Sequence, residues 1–472
     1  MNVSAIGEAF RQPQEVPGVS ARNELHGLRR RTVSQVDIVA QSVASVAPVM
    51  WALSTALVTG VVAEQGAWIS IILAAAISWG VARSFGEFGS RLAGSGSLFT
   101  FVARSGFRYV ALVVALLLCT GYGTFAMAGL SLASGHMLAI VSSEAPSRDS
   151  AADGLTIIVF VALICLGIIV MGVRVTTRVT LVTESVGLVL LALLIVVALM
   201  DHGAPVGDLF SLHGVDWAKV SAGTVVMVGG WLGFESSAAL GAEARRPLAS
   251  VPRAMTLAVL LAAGVYLAAW FAQLAQLTLD RGTNAIVHLS LAMCLLAAVT
   301  AFWTALTRLF FLFGREVILP SCLGRTHPRL QTPHIAAIAS FVPVVCGAVI
   351  FNTFGISTDA LEMVAAPALM LSYVIATAVL IVFLARLGEL TAPVALLAGV
   401  SALLMATVLA VDLKLDLSGG SWLSLATVVG ACAAGWAWWS VLRSRRPNAL
   451  DDLGMYDSAI AADVLGAESR SN

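Results

Sequence analysis

The chain has 472 residues, of which 59% are hydrophobic and 11% charged, against about a quarter charged in ordinary soluble domains; its mean hydropathy is +0.92. Lys plus Arg and Asp plus Glu number 27 each, so the formal net charge is zero. These values exclude a mainly soluble protein and any nucleic-acid binder that would need a basic groove in a folded domain, and they place most of the chain in a lipid bilayer.

A spanning helix takes about 20 predominantly apolar residues. The sequence offers twelve such segments, at 37–62, 67–90, 106–140, 153–173, 176–200, 219–243, 254–278, 286–314, 333–352, 360–386, 391–411 and 421–442. Each span must close its own backbone hydrogen bonds, which leaves helices as the option, and no stretch alternates as a membrane barrel does. The predicted fold class is an all-α membrane protein with about twelve transmembrane helices. A tail at 1–36 precedes a transmembrane domain at 37–442, and a polar tail at 443–472 follows.

Residues 1–36 hold Arg29-Arg30-Arg31, read as a topology signal. No cleavable signal peptide is expected, because the first apolar stretch begins late and runs long. Inside the first segment, SVASVAPVMW (42–51) is a run of small residues ending in Pro48. Proline removes an amide donor and clashes with the carbonyl four residues back, so the helix is expected to break here. The third segment carries Tyr122 at mid-depth, and the fifth carries Glu184 in its inner third. Arg174 and Arg178 lie ten and six residues from Glu184, so the carboxylate is read equally as a proton-coupling group and as an ordinary ion-pair partner.

In the sixth segment VGGWLGFES (228–236) places Gly229, Gly230 and Gly233 in about one and a half turns. Each weakens a helix by roughly 1 kcal/mol relative to alanine. Glu235 follows directly. An ionised carboxylate at mid-membrane costs a few kcal/mol, so it must face a cavity, a cation or backbone donors, or carry a proton. It is therefore read as a proton-coupling or ammonium-binding group, or as a cap on the free amides of an interrupted helix. The eighth segment carries Thr300, Phe302, Trp303 and Thr304, and Trp436, Trp438 and Trp439 near the end of the twelfth read as an interfacial belt. Cys119, Cys165, Cys294, Cys322, Cys346 and Cys432 are scattered singly, with neither a disulfide framework nor a zinc spacing.

With residues 1–36 on the cytoplasmic side, only Arg148, Lys219, Arg281 and Lys414 of the 27 basic residues fall in outer connections. This is the positive-inside signature, and it predicts both termini in the cytoplasm. The two interruptions fall in the first and sixth segments, the leading members of two five-helix halves that enter the membrane in opposite directions. Paired interruptions of this kind point to a transporter with its site at the midplane. A pore would show rings of charge or a repeated carbonyl filter, and neither is present.

GFESSAALGAEARRPLASVPRA (233–254) resembles the stretch that closes the sixth helix in the amino acid, polyamine and organocation (APC) superfamily of permeases. EFGSRLAGSGSLFTFV (87–102) is similar to its second-to-third helix connection, and GVRVTTRVTLVTE (172–184) to its entry into the fifth helix. TRLFFLFGREVILPSCLGRTHPRLQTPHIAA (307–337) resembles its eighth-helix exit and following loop. The resemblance implies a five-plus-five inverted repeat with helices 1–5 over about 37–200 and helices 6–10 over about 219–386. Helices 1 and 6 are discontinuous, and two further helices occupy about 391–442. It also implies a substrate site between helices one, three, six, eight and ten, with a carboxylate on exposed amides and an ammonium on exposed carbonyls. The first-helix break departs from the family's glycine-rich pattern by offering Ser42, Ala44, Ser45, Ala47 and Pro48. A Cβ restricts approach to the backbone, which widens the expected substrates to amines, amino-acid derivatives and small amides. Because Gly-Phe-Glu recurs in the family across substrates of different charge, a structural gating role is placed first for Glu235.

The expected substrate contacts are those first-break residues with Tyr122, Gly229, Gly230, Trp231, Phe234, Phe302 and Trp303, the aromatic groups closing over a substrate or stacking on a cation. Coupling or gating is expected of Glu235, Glu184, Thr300, Thr304, Glu87 and Arg308. Glu87, Glu243, Arg245, Arg246, Arg253, Arg308 and Arg315 cluster near the cytoplasmic face as an inner gate. Some proton-driven relatives place a lysine in the fifth helix; no lysine precedes Lys219 here. Sodium would need hydroxyls and carbonyls from helices one and eight, some of which Ser45, Thr300 and Thr304 supply. The expected function is a secondary active transporter in the plasma (inner) membrane, moving an amino acid or related small amine by alternating access as a proton symporter or exchanger. A polyamine or organic-amine transporter, or a non-transporting sensor or partner subunit, is the alternative. An enzyme would need a nucleophile with a base at matched depth, and the seven histidines lie mostly in tails, loops or helix ends. No cofactor or metal is expected, and the oligomeric state is left open.

Overall fold

The computed structural model describes residues 28, 31–53, 63, 66–141, 148–202, 212–272, 285–451 and 453–454. Twelve helices among them are long and apolar enough to cross a membrane. In chain order these are α1 (Gln35–Leu53), α2 (Ala67–Gly89), α3 (Arg108–Val141), α4 (Arg148–Met171), α5 (Val173–His202) and α6 (Trp217–Glu243). The second half comprises α7 (Pro247–Phe271), α8 (Ala285–Arg315), α9 (His334–Thr353), α10 (Thr358–Leu387), α11 (Ala392–Ser418) and α12 (Leu423–Arg445). The described residues contain no strand, only an isolated parallel bridge between Val33 and Ala244. Arg29, Arg30 and Arg281 of the predicted charge pattern, and the 54–62 end of the first predicted segment, lie outside the described residues.

Helix starts follow local chemistry. Ser34 caps α1 in a reciprocal box with Asp37, Asp216 accepts from the Ala218 amide at 2.9 Å at the head of α6, and Ser357 from the Ala360 amide at 3.3 Å at the head of α10. Such caps satisfy amides that a first turn leaves unpaired. Several ends differ from expectation: α4 begins at Arg148 rather than 153 and α7 closes at Phe271 rather than 278. Helix α7 begins at Pro247 rather than 254, because proline at the first helical position forfeits an amide that had no partner anyway. Helix α11 runs on past 411 through Asp412, Lys414 and Asp416 to Ser418.

Long α3 and α8 form the centre of the bundle. Their seam is close because Gly129 leaves room for Val299, and Gly121 likewise accepts Leu369 of α10. Helices α4, α5 and α12 keep most of their apolar surface outside the protein, as lipid-facing helices do. Twelve alternating crossings put the start of α1 and the end of α12 on one face, called here the termini face. Five crossings separate α1 from α6, so the two enter from opposite faces and meet in the middle. Both are broken there, giving the five-plus-five arrangement with discontinuous first and sixth helices.

Candidate functional site

Helix α1 stops at Val46, Ala47 adopts a left-handed conformation (φ 49°), and the helix resumes at Pro48. Proline therefore does not break the helix by clashing with the turn behind it, as the sequence suggested. It starts the second arm, where its fixed φ fits and its missing amide costs little. The first arm of α6 ends at Gly229, a turn runs over 230–233, and a 3₁₀ segment, Phe234–Glu243, completes the crossing. Gly233 is left-handed (φ 106°), and a Cβ there would fall 2.7 Å from the Phe302 ring and 3.0 Å from Ser45. Only glycine meets both conditions.

Side chains take over the hydrogen bonds that the interruptions release. Tyr266 of α7 donates to the Gly230 carbonyl at 2.6 Å, and the Gly233 amide donates to the Tyr373 hydroxyl of α10 at 2.8 Å. Tyr373 in turn donates to Glu235, whose other carboxylate oxygen accepts from Tyr122 of α3 at 2.8 Å. The amides of Gly233 and Glu235 also face this carboxylate. Glu235 is fully buried and fastens the broken sixth helix to α3 and α10. The breaks are tied to each other as well. Ser42 donates to the Phe234 carbonyl at 2.7 Å, Ser45 and Ser236 share a hydrogen at 2.5 Å, and the Gln41 amide reaches the Ala301 carbonyl of α8 at 2.8 Å.

Beside the breaks lies a cavity of about 400 Å³. Its wall is built from Ser45, Ala47, Met50 and Trp51 of α1, Phe125, Ala128, Gly129 and Leu132 of α3, and Val226, Gly229 and Leu232 of α6. Leu295, Ala298 and Phe302 of α8 and Thr358, Asp359 and Glu362 of α10 complete it. A second space of about 190 Å³ shares Trp51, Phe125, Gly229, Asp359 and Glu362 and extends to Asp412 and Asp416. The cavity thus leads to the face opposite the termini, along a path lined by carboxylates.

Toward the termini face the route is shut. Arg308 of α8 donates to Glu243 from Nε at 3.1 Å and from Nη2 at 2.9 Å, with the two side chains 1% and 2% exposed. The Glu243 carbonyl accepts from the Thr32 and Val33 amides at 2.9 and 3.1 Å, and the Arg245 amide donates back to Val33 at 3.0 Å. This lashes the chain before α1 to the end of α6. Nearer solvent, Arg91 bridges Glu87 and Glu389 at 2.7 Å each. Partial burial works against the Arg91 charge, but hydrogen bonds to Glu389 and Glu87 outweigh it and hold the guanidinium above its ordinary value.

Of the expected substrate contacts, Ser45, Ala47, Gly229 and Phe302 line the cavity. Ser42, Gly230 and Tyr122 stand behind it in the hydrogen bonds above, and Ala44 and Pro48 belong to the arms of the break. The tryptophans point elsewhere. Trp231 packs on Tyr266 and donates to the Val259 carbonyl of α7 at 3.1 Å, while Trp303 donates to Ser340 of α9 at 2.9 Å. Phe234 packs between Phe85 and Tyr373. Thr300 bonds back to its own helix at 2.7 Å, and the Thr304 hydroxyl is buried without a hydrogen-bond partner.

Glu184 does not pair with Arg174, which reaches the Thr32 carbonyl at 3.0 Å instead. Offsets of six and ten residues turn both arginines away from its face of the helix. One Glu184 oxygen accepts from Cys294 at 3.8 Å, and the other is buried with no hydrogen-bond partner. The residue lines a separate cleft of about 600 Å³ between α1, α5 and α7. Sequence reasoning missed Gln41, Ser236, Tyr266 and Tyr373, the cavity residues Met50, Trp51, Asp359 and Glu362, and the Arg91–Glu389 contact. A polar group inside an apolar helix was the available signal for the first four.

The model of a family described as "Amino acid permease" matches residues 34–432. Three proteins described as uncharacterized transporters, one from Mycobacterium bovis and two from strains of Mycobacterium tuberculosis, are each 26% identical over 205 residues, covering 37% of this chain and 46% of theirs. The chain therefore spans about half the length of these curated relatives. A crystal structure of a variant manganese transporter from Eremococcus coleocola superposes with a TM-score of 0.56 at 12% identity, over 90% of this chain and 99% of that one. At that identity the likeness concerns the fold and not the cargo.

Proposed function

The chain belongs to the amino acid permease family, and from that premise we propose that it is a secondary active transporter moving an amino acid or related small amine across the plasma membrane by alternating access. One observation carries this reading. The cavity of about 400 Å³ beside both interruptions leads toward Asp359 on one face and is separated from the other by the buried Glu243–Arg308 pair. Its volume falls within the range of about 300–1,000 Å³ usual for small-molecule sites.

The polarity of the breaks supports an amine as the group recognised. Ser45 and Ala47 belong to the C-terminal end of one helical arm and Gly229 to that of another, and both contribute to the cavity wall. Helix C-termini carry partial negative charge and suit a cation. Trp51, Phe125 and Phe302 add aromatic faces, and Asp359 and Glu362 add carboxylates. A carboxylate on the same solute would turn to the starts of the second arms, at Pro48 and Phe234, where the dipole is positive.

The path through Asp412 and Asp416 favours a second reading, an organic amine or polyamine with a further charge along the route. Glu184 is the group we assign to proton coupling, on the strength of its unpartnered oxygen, and Glu235 we assign to holding the break together. In this scheme the termini are cytoplasmic and the structure is open outward. Transport then consists of opening the Glu243–Arg308 seal as the far-face route closes.

The test is a thermal-shift screen of the purified chain across amino acids, amines and polyamines, followed by uptake into vesicles. A ligand at 100 times its Kd stabilises by about 2.7 kcal/mol. The expected outcome is a stabilising amine that is accumulated or exchanged, with both effects lost in Gly229→Leu. Stabilisation without accumulation would indicate a sensor, and stabilisation that survives in Gly229→Leu would move the site.

A further inference from the structure

His136 and His288 take part in neither the cavity wall nor the seal. His136 lies on α3 one turn beyond Leu132, and His288 on α8 two turns before Leu295. Phe125, Ala128, Gly129 and Leu132 recur at helical spacing along one face of α3, and Leu295, Ala298 and Phe302 do so on α8. His136 extends the cavity-lining row of α3 by one further position and His288 that of α8 by two. Where the two rows run past the cavity, the imidazoles meet. Their Nδ1 atoms are 2.9 Å apart and their ring centroids 5.2 Å apart. Both residues are half-buried, so neither is sealed in the core. The helices that carry them are close-packed a few turns below, where Gly129 meets Val299, and this limits how far the rings can separate.

We propose that His136 and His288 form an interhelical binding site, at the rim of the central cavity, for a divalent transition-metal ion of the kind imidazole favours, such as Zn²⁺, Ni²⁺ or Cu²⁺. Neutral imidazole is the commonest protein ligand for these ions. Metal–nitrogen bonds of about 2.0–2.1 Å put two ligating nitrogens about 2.9 Å apart at a right angle and about 3.4 Å apart at a tetrahedral angle. The 2.9 Å separation already meets the first requirement, and a shift of a few tenths of an ångström meets the second. Without an ion, one ring donates its Nδ1 hydrogen to the other. With an ion, the donor ring takes the other tautomer, its hydrogen passing through solvent from Nδ1 to Nε2 with no net proton release, and both Nδ1 lone pairs turn to the metal. Water fills the remaining positions, which makes the ion exchangeable. The site does not depend on what the cavity carries.

The experiment uses the full chain, purified in detergent and free of any affinity histidine tag. Zn²⁺ and Ni²⁺ binding is followed by calorimetry, and Co²⁺ binding by its visible absorption. The expected result is one saturable site per chain that is weakened at least tenfold in His136→Ala and in His288→Ala alike. Zn²⁺ should raise the melting temperature of the parent and not of either variant. Should an alanine variant aggregate on gel filtration, His136→Gln and His288→Asn keep the size of the side chain and carry the same expectation. Absence of saturable binding, or binding that both substitutions leave unchanged, overturns the proposal.

Discussion

Gly233 and Tyr373 show how single residues define the broken sixth helix. At Gly233 a positive φ and the Phe302 ring act against any side chain. Gly233→Ala should therefore destabilise by on the order of 2–4 kcal/mol, combining backbone strain with overpacking, and a thermal melt in detergent will read it. Tyr373 matters for a different reason, since its hydroxyl accepts from the Gly233 amide and donates to Glu235. Tyr373→Phe leaves two buried groups short of a partner, at about 1–3 kcal/mol each. Tyr122→Phe strips one hydrogen bond from Glu235 and should cost less. Equal melting temperatures for the two variants would count against Tyr373 as the pivot. The glycines were legible in the sequence because a cluster of helix breakers in an apolar run is a local signal. Tyr266 and Tyr373 were not, because their partners lie 140 residues away for Tyr373 and 36 for Tyr266, and no spacing rule connects them. Trp231 illustrates the converse: its place beside the glycines suggested a gate, yet its indole nitrogen finds a carbonyl on α7 and the ring is buried against Tyr266, away from the cavity wall.

Among the helices, α1 and α6 reach the same outcome by different local means. In α6 three glycines lower helix stability directly. In α1 the break is made by a left-handed alanine followed by a proline that begins the next arm. A proline inside a helix costs about 3 kcal/mol, whereas one at the first position costs little. Pro48→Ala should accordingly change stability by less than about 1 kcal/mol and leave the interruption in place. Unfolding in a denaturant series measures this; a gain of several kcal/mol would mean that Pro48 does strain a continuous helix. The same distinction accounts for α7, where Pro247 and Pro252 read in sequence as a loop and one of them in fact opens the helix. Twelve spans were legible because bilayer thickness fixes their length and apolar character. Their exact ends depended on caps and prolines whose meaning changes with position by a single turn.

For the whole molecule the decisive contrast is between an acidic route open on one face and a buried ion pair on the other. Glu243 and Arg308 were both read in the sequence as candidates for an inner gate by their place near one face, and the structure pairs them. That they would be desolvated together, while Glu87 pairs with Arg91 near solvent, was not legible there. Removing one member of a buried pair leaves an uncompensated charge and costs about 3–5 kcal/mol, whereas removing both is often close to neutral. Arg308→Met should thus lower the melting temperature sharply, and adding Glu243→Gln should recover most of the loss. The double variant keeps the fold without the lock, so it also tests what the lock does. In a chain freed of its native cysteines, Ala128→Cys in the cavity wall should react with a membrane-impermeant maleimide from the far face only. With the double substitution added, it should react from the termini face as well. Reaction confined to the far face would mean that the backbone lashing of Thr32 and Val33 to Glu243, which neither substitution touches, is sufficient to hold that side shut.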